Sequence, residues 1–159
     1  VIGMAGSGGD GIVSAGESLL SAAAAEGYHG IMTKSFGSQI RGGESSCRVR
    51  LSTKPVLNPG GTLDVAVALN WEDFLKFGAE LPVSGNTVVI YESKTGVAPD
   101  KLPLVGVTPA EAVAVPFGDM ARQNGVTLEQ FRARLESDTQ QDAPILVALQ
   151  RLEDRLVVH

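Results

Sequence analysis

The sequence predicts an α/β domain: three layers, with a mixed, largely parallel sheet and helices on both faces. Three observations carry this expectation. The chain opens as a short apolar run, a glycine-rich turn and a helical stripe followed by a further strand, which is the order of a βαβ unit. Two later runs, 64–69 and 87–91, are continuous and apolar, as strands covered on both faces are. The last forty residues carry helical spacing without strand alternation.

Taken in order, Val1 to Ala5 reads as a buried strand ending in the turn Gly6-Ser7-Gly8-Gly9-Asp10-Gly11. Ile12, Ala15, Gly16, Leu19 and Ala23 then fall on one helical face, and Gly27 is a natural stop just past the C-cap. Gly30 to Lys34 is the next strand, read as the parallel partner of the first. Ser35 to Gly43 (SFGSQIRGG) is irregular and glycine-bounded, and reads as a loop. From Ser45 to Ser52 the alternation is clean: Cys47, Val49 and Leu51 point one way, Arg48 and Arg50 the other.

Lys54-Pro55 and Asn58-Pro59-Gly60-Gly61 are turn signals. Asp64 to Leu69 fits a central strand, and Asn70 can cap a helix starting at Trp71, with Glu72 and Asp73 well placed in its first turn. Thr87 to Tyr91 is a β-branched strand closed by the polar turn Glu92-Ser93-Lys94. Leu104 to Val107 and Val113 to Phe117 read as short strands, the former at an edge. Helical periodicity returns over 119–125, 127–136 and 143–157, where the stripe Ile145, Leu149, Leu152 and Leu156 either covers the sheet or makes a subunit contact.

Composition narrows the function. The chain of 159 residues is 43% hydrophobic with 19 glycines and a formal charge of −5. Such a chain builds a core, and its acidity speaks against general nucleic-acid binding. No apolar run reaches the ~18–20 residues that span a bilayer, and the start has no basic region of a secretory signal. The first run begins abruptly and without methionine, as in an excised domain. A single cysteine, Cys47, excludes a disulfide framework and suits a reducing cytoplasm. With two histidines beside it, no zinc-type cluster can be assembled. Five of the 13 basic residues, Lys34, Arg41, Arg48, Arg50 and Lys54, fall within one short stretch whose only acid is Glu44. That stretch reads either as solvated strand edges or as a surface for an anionic ligand or acidic partner.

Two glycine-rich elements carry the candidate site. Gly6, Gly8 and Gly11 satisfy G-x-G-x-x-G between a strand and a helix, where backbone amides can approach a ligand. The dinucleotide reading is weakened on two counts. Lys34-Ser35 stands where an acid for the ribose belongs, and Asp10 sets a carboxylate where a pyrophosphate would sit. In Gln39-Ile40-Arg41-Gly42-Gly43-Glu44, Arg41 beside two glycines is a fork-shaped donor for a ligand or partner, or simply a partner of Glu44. Cys47, on the apolar face of its strand, reads as an inert core thiol. No complete catalytic set is visible.

The two elements in order, Gly6-Ser7-Gly8-Gly9-Asp10-Gly11 and then Ser38-Gln39-Ile40-Arg41-Gly42-Gly43, followed by Arg48-Val49-Arg50-Leu51 and by Asp64-Val65-Ala66-Val67-Ala68-Leu69-Asn70, resemble the gamma-type domain of 2-oxoacid:ferredoxin oxidoreductases. The resemblance covers about residues 1–120 and is closest to the 2-oxoglutarate:ferredoxin oxidoreductase branch, in which gamma is fused to alpha. It implies that residues 1–159 form a single gamma-type domain of a longer cytoplasmic enzyme. That enzyme converts a 2-oxoacid and coenzyme A to an acyl-CoA and CO₂ and reduces ferredoxin. It further implies alpha and beta parts as partners, an oligomeric assembly, and thiamine diphosphate and a [4Fe-4S] cluster held mainly by other domains. No membrane or nucleic-acid partner is implied. The cofactor-binding positions it implies are Gly6, Ser7, Gly8, Gly9, Ser38, Arg41, Gly42 and Gly43, for coenzyme A access or a domain interface, with no catalytic or metal-ligating residue in the domain. The family's K-N-x-x-x-L-G-type segment is absent, so nothing is carried over to 126–159. A free-standing Rossmann-like nucleotide module and a non-catalytic assembly domain are the competing readings.

Overall fold

A computed structural model describes residues 1–38, 43–115 and 117. Its elements are β1 (Ile2–Gly6), α1 (Ile12–Ala25), β2 (His29–Phe36), β3 (Ser45–Ser52), β4 (Val65–Ala68), α2 (Trp71–Lys76), β5 (Val88–Glu92) and β6 (Glu111–Val115), with single 3₁₀ turns at Ser93–Thr95 and Pro99–Lys101. The chain divides after Ala114, and the first unit holds β1 to β5 and β6 as far as Ala114.

The strands form one six-stranded sheet in the order β2-β3-β1-β4-β5-β6. β1 pairs in parallel with β4, and β4 with β5, while β3 runs antiparallel to both β1 and β2. Four of the five strands with assigned register therefore share one direction, and the sheet is mixed but largely parallel, as expected. One expectation is corrected. The strands flanking α1 are not neighbours, because β3 lies between them, with Met4 opposite Cys47 on one side and Met32 opposite Val49 on the other. The crossover from β1 to β2 still joins strands of the same direction, but it spans two positions and leaves a slot for the returning strand.

Residue alternation puts helices on both faces. Met4, Cys47 and Val49 pack with Ile12 of α1, flanked by Leu19, Leu20, Met32 and Val67. On the opposite face Ala5, Ala66, Ala68 and Val89 meet Trp71 and Phe74 of α2. α1 closes as the sequence suggests. Gly27 adopts φ 84°, the Tyr28 N–H reaches the Ala23 carbonyl at 2.9 Å, and the Gly27 N–H reaches that of Ala24 at 3.1 Å. Gly16 is the point of closest approach to the sheet, since a Cβ there would stand 2.7 Å from Cys47 Sγ. Ile12 and Gly16 are buried as expected and Leu19 and Ala23 half-buried, whereas Ala15, expected on the same face, is exposed and Leu20 takes its place.

The remaining differences are local. β2 continues through Phe36, two residues into the expected loop, because Phe36 still pairs with Ser45. Residues 104–107 form a turn rather than a strand. Pro103 removes a ladder donor there and Gly106 takes φ 68°. The last expected strand lies two residues earlier, at Glu111–Val115. The helices expected over 119–157 lie outside the described residues.

Candidate functional site

In a doubly wound sheet the connections leaving neighbouring strands diverge to opposite faces at one point, opening a crevice at the carboxyl ends. That point here is between β1 and β4: α1 leaves β1 toward one face and α2 leaves β4 toward the other. The Gly6–Gly11 turn follows β1 at this edge. The hairpin between β2 and β3 also reaches it, because the antiparallel β3 begins where β1 ends, with Gly6 opposite Ser45. Sequence elements thirty residues apart are thereby brought to one rim of the sheet.

A chain of polar contacts joins them. The Ser7 hydroxyl donates to Asp73 Oδ2 at 2.6 Å and accepts from Asn70 Nδ2 at 3.2 Å. Asn70 caps α2, its Oδ1 accepting the Asp73 N–H at 2.7 Å, while its Nδ2 also donates to Asp73 Oδ2 at 2.7 Å. Lys76, one turn on, donates to Asp73 Oδ1 at 3.1 Å and stands 3.5 Å from Glu44 Oε2. Glu44 lies just before β3, and the Gly37 N–H bonds its carbonyl at 2.8 Å to close the hairpin. The first glycine turn, α2 and the base of the second loop are therefore linked side chain to side chain.

The network has a definite charge state. Burial of Asp73 on its own would raise its carboxyl pKa. The hydrogen bonds from Ser7, Asn70 and Lys76, with the Lys76 charge, outweigh that and hold it below its usual 3.8. Lys76 is correspondingly held above its ordinary 10.5, first by its bond to Asp73 and further by the charge of Glu44, against some desolvation. At neutral pH the Asp73 carboxylate and the Lys76 ammonium are charged, and Ser7 is a held donor rather than an activated nucleophile.

Of the positions singled out from sequence, Gly6, Ser7, Gly8 and Gly9 form this turn. Gly8 and Gly9 are exposed, and their amides have no acceptor among the described residues. Ser38 is exposed just beyond β2, and Gly43 is half-buried before β3. Arg41 and Gly42 lie outside the described residues. Glu44, offered above as a partner for Arg41, pairs with Lys76. The sequence marks Asn70 and Asp73 only as a cap and a first-turn acid, and does not single out Lys76. The N-cap-to-N3 spacing of Asn70 and Asp73 was the available signal.

The basic face of β3 is used within the fold. Arg48 donates to the carbonyls of Glu80 at 3.4 Å, Gly60 at 2.7 Å and Gly61, and Arg50 to both oxygens of Asn58. Lys34 pairs with Glu17 on α1. Three of the five clustered cations thus hold the 58–61 loop, the end of the α2 segment, or α1. Cys47 is fully buried, its thiol 3.5 Å from the Ile12 carbonyl, and burial pushes its pKa up to about 11 against a small opposing effect of Lys34. It is an inert core thiol. Among the described residues no three His, Cys, Asp or Glu side chains converge as a metal site, and no helix is long and apolar enough to cross a membrane.

The family model described as pyruvate ferredoxin/flavodoxin oxidoreductase matches residues 1–147. The chain is 34% identical over 123 residues to ketoisovalerate oxidoreductase subunit VorA of Methanothermobacter marburgensis, covering 77% of this chain and 24% of VorA. It is 32% identical over 122 residues to 2-oxoglutarate synthase subunit KorC of Methanocaldococcus jannaschii, covering 76% of this chain and 62% of KorC. Among solved structures, 2-oxoglutarate:ferredoxin oxidoreductase from Magnetococcus marinus, with 2-oxoglutarate, coenzyme A and succinyl-CoA bound, superposes with a TM-score of 0.61 at 31% identity, over 76% of this chain and 20% of that one. The gamma subunit of a keto/oxoacid ferredoxin oxidoreductase from Geobacter sulfurreducens gives 0.53 at 26% identity, over 77% of this chain and 64% of that one. The chain thus spans about a quarter of VorA and a fifth of the Magnetococcus chain.

Proposed function

The chain belongs to the pyruvate ferredoxin/flavodoxin oxidoreductase family, and on that premise we propose that it is the gamma-type domain of a 2-oxoacid:ferredoxin oxidoreductase. In the assembled enzyme a 2-oxoacid and coenzyme A become an acyl-CoA and CO₂, and the two electrons released reduce ferredoxin. The observation that carries this reading is the junction of the two glycine-rich elements at the sheet's switch point through Ser7, Asp73, Lys76 and Glu44. Gly6, Ser7, Gly8 and Gly9 form one wall of the coenzyme A path. Ser38, Arg41, Gly42 and Gly43 are the second set of coenzyme A positions on this reading, and among them the Arg41 guanidinium is the group chemically suited to a phosphate. The domain covers the active site and meets the alpha and beta parts of a cytoplasmic oligomer.

The other cofactors belong to other parts of the enzyme on this reading. A [4Fe-4S] cluster needs four thiolates, and this chain has one cysteine, enclosed in its core. The iron–sulfur cluster therefore does not fit here. Thiamine diphosphate is assigned to the other domains by the family resemblance. The 2-oxoacid is 2-oxoglutarate, the reading favoured by the Magnetococcus structure and the KorC subunits. The VorA relatives favour a branched-chain 2-oxoacid as the second reading.

The test uses the full protein that contains this domain, assembled with its partner subunits. Ferredoxin reduction is expected only when a 2-oxoacid and coenzyme A are both supplied, fastest with 2-oxoglutarate. A protein that neither binds coenzyme A nor reduces ferredoxin with any 2-oxoacid overturns the reading, and tight binding of a nicotinamide or adenine dinucleotide supports the nucleotide module instead. Arg41→Ala separates the assembly reading: weakened subunit association with unchanged coenzyme A affinity would favour it.

A further inference from the structure

Asp10 has a place in the turn that coenzyme A access does not require. Its Oδ2 accepts the Ser7 backbone N–H at 2.7 Å, and its own N–H donates to the Ser7 carbonyl at 3.1 Å. A Cβ on Gly6 would come within 2.8 Å of the same carboxylate oxygen. The carboxylate is therefore folded back over the Gly6–Ser7 peptide, in space that only a glycine at position 6 leaves open. In a G-x-G-x-x-G turn the backbone amides are what receive a pyrophosphate. Here the amide at Ser7 already has an anion, supplied by the chain itself. The second Ser7 donor is committed as well, since its hydroxyl bonds Asp73 at 2.6 Å. A phosphate reaching the Ser7 amide must displace Asp10, and one held by the open Gly8 and Gly9 amides would share the turn with a carboxylate of its own sign.

We propose that Asp10 is a specificity-determining residue, an internal anion that keeps phosphate out of the Gly6–Gly11 turn. Resting on the reading above, this leaves the first turn to an uncharged part of coenzyme A. Two effects act together, occupation of the Ser7 amide and like-charge repulsion, and two substitutions separate them. Asp10→Asn removes the charge and keeps an oxygen for the amide; Asp10→Ala removes both.

The experiment measures inorganic pyrophosphate binding to the assembled full-length protein by calorimetry, with hydrogen–deuterium exchange of residues 6–12 as the local readout and thiamine diphosphate at saturation throughout. The wild type is expected to show no pyrophosphate-dependent protection of residues 6–12. Asp10→Ala is expected to acquire it, with at least tenfold tighter binding, and Asp10→Asn to fall between. Protection of residues 6–12 in the wild type overturns the proposal and needs no variant to fold. So does the absence of any gain in two variants whose circular dichroism matches the wild type. Failure of the enzymatic reading is separately visible as loss of coenzyme A-dependent ferredoxin reduction, which this measurement does not involve.

Discussion

The Ser7 hydroxyl donates to the Asp73 carboxylate across 2.6 Å, joining a turn at the start of the chain to a helix 66 residues later. Asp73 is 8% exposed and collects three side-chain donors and a positive charge, so it is the hub of the polar network. Asp73→Asn leaves at least one of those donors without an acceptor, and the expected cost is about 1–3 kcal/mol of stability. Urea unfolding at pH 7 measures it.

Acid should expose the same hub. Folding lowers the Asp73 pKa below its usual 3.8, so its contribution is complete above that value and is lost as the pH falls through the lower folded one. The wild type is expected to lose stability over this acid window more steeply than Asp73→Asn, whose side chain does not titrate. Urea midpoints from pH 5 down to the acid transition test it, and parallel curves would refute the assignment.

Gly16 places α1 hard against the sheet. Alanine there gains about 1 kcal/mol of helix propensity. Its Cβ, however, would stand 2.6 Å from Met32 Cε and 2.7 Å from Cys47 Sγ. The methionine end can swing aside, but the enclosed sulfur cannot, and overpacking costs about 1–3 kcal/mol. Gly16→Ala is therefore expected to lower the melting temperature, and adding Cys47→Ala to recover part of the loss. Additive effects of the two substitutions would argue against the contact.

With its pKa near 11, the Cys47 thiol is only about one part in a thousand thiolate at pH 8. Reaction with a disulfide reagent is expected to follow unfolding, appearing fast in urea and slow in buffer. A fast reaction under native conditions would contradict its burial.

Arg48 spans three backbone carbonyls from two segments, those of Gly60 and Gly61 and that of Glu80. Arg48→Met should cost about 2 kcal/mol, since bonds to a charged donor are among the stronger ones. Arg50→Met, which releases only Asn58, should cost less. Loss of ligand affinity in the first variant is thus to be read only beside its stability, because the side chain is built into the fold.

Much of this molecule is legible in its sequence where one face is apolar and the period is short. Ser45–Ser52 has the expected bounds because Cys47 and Val49 alternate with Arg48 and Arg50, and only one register buries the first pair. Asn70 and Gly27 mark helix ends by local chemistry, and the structure keeps both. Strand order is a different matter. Nothing in residues 1–34 announces that β3 will separate β1 from β2, since that depends on which edge the hairpin covers. The same limit hid the use of Arg48 and Arg50: alternation placed them off the apolar face, but the carbonyls they hold come from residues 58–61 and 80, brought there by the fold. For the site, the glycine turn was evident and its hub was not, because Asp73 has the look of an ordinary first-turn acid until Ser7 is set beside it.

The reversed strand in the middle of the sheet also bears on the order of assembly. β2 and β3 are joined by a short loop and pair along their whole length, the most local contact in the sheet. Both neighbours of β1, in contrast, lie far along the chain: Ile2 waits for Val49 on one side and Val65 on the other. Pairing of low sequence separation forms early and distant pairing late. The first strand of the domain is then the last to be enclosed. Pulse-labelled exchange should show β2 and β3 amides protected before those of β1, which leaves the glycine turn unassembled until the final step of folding.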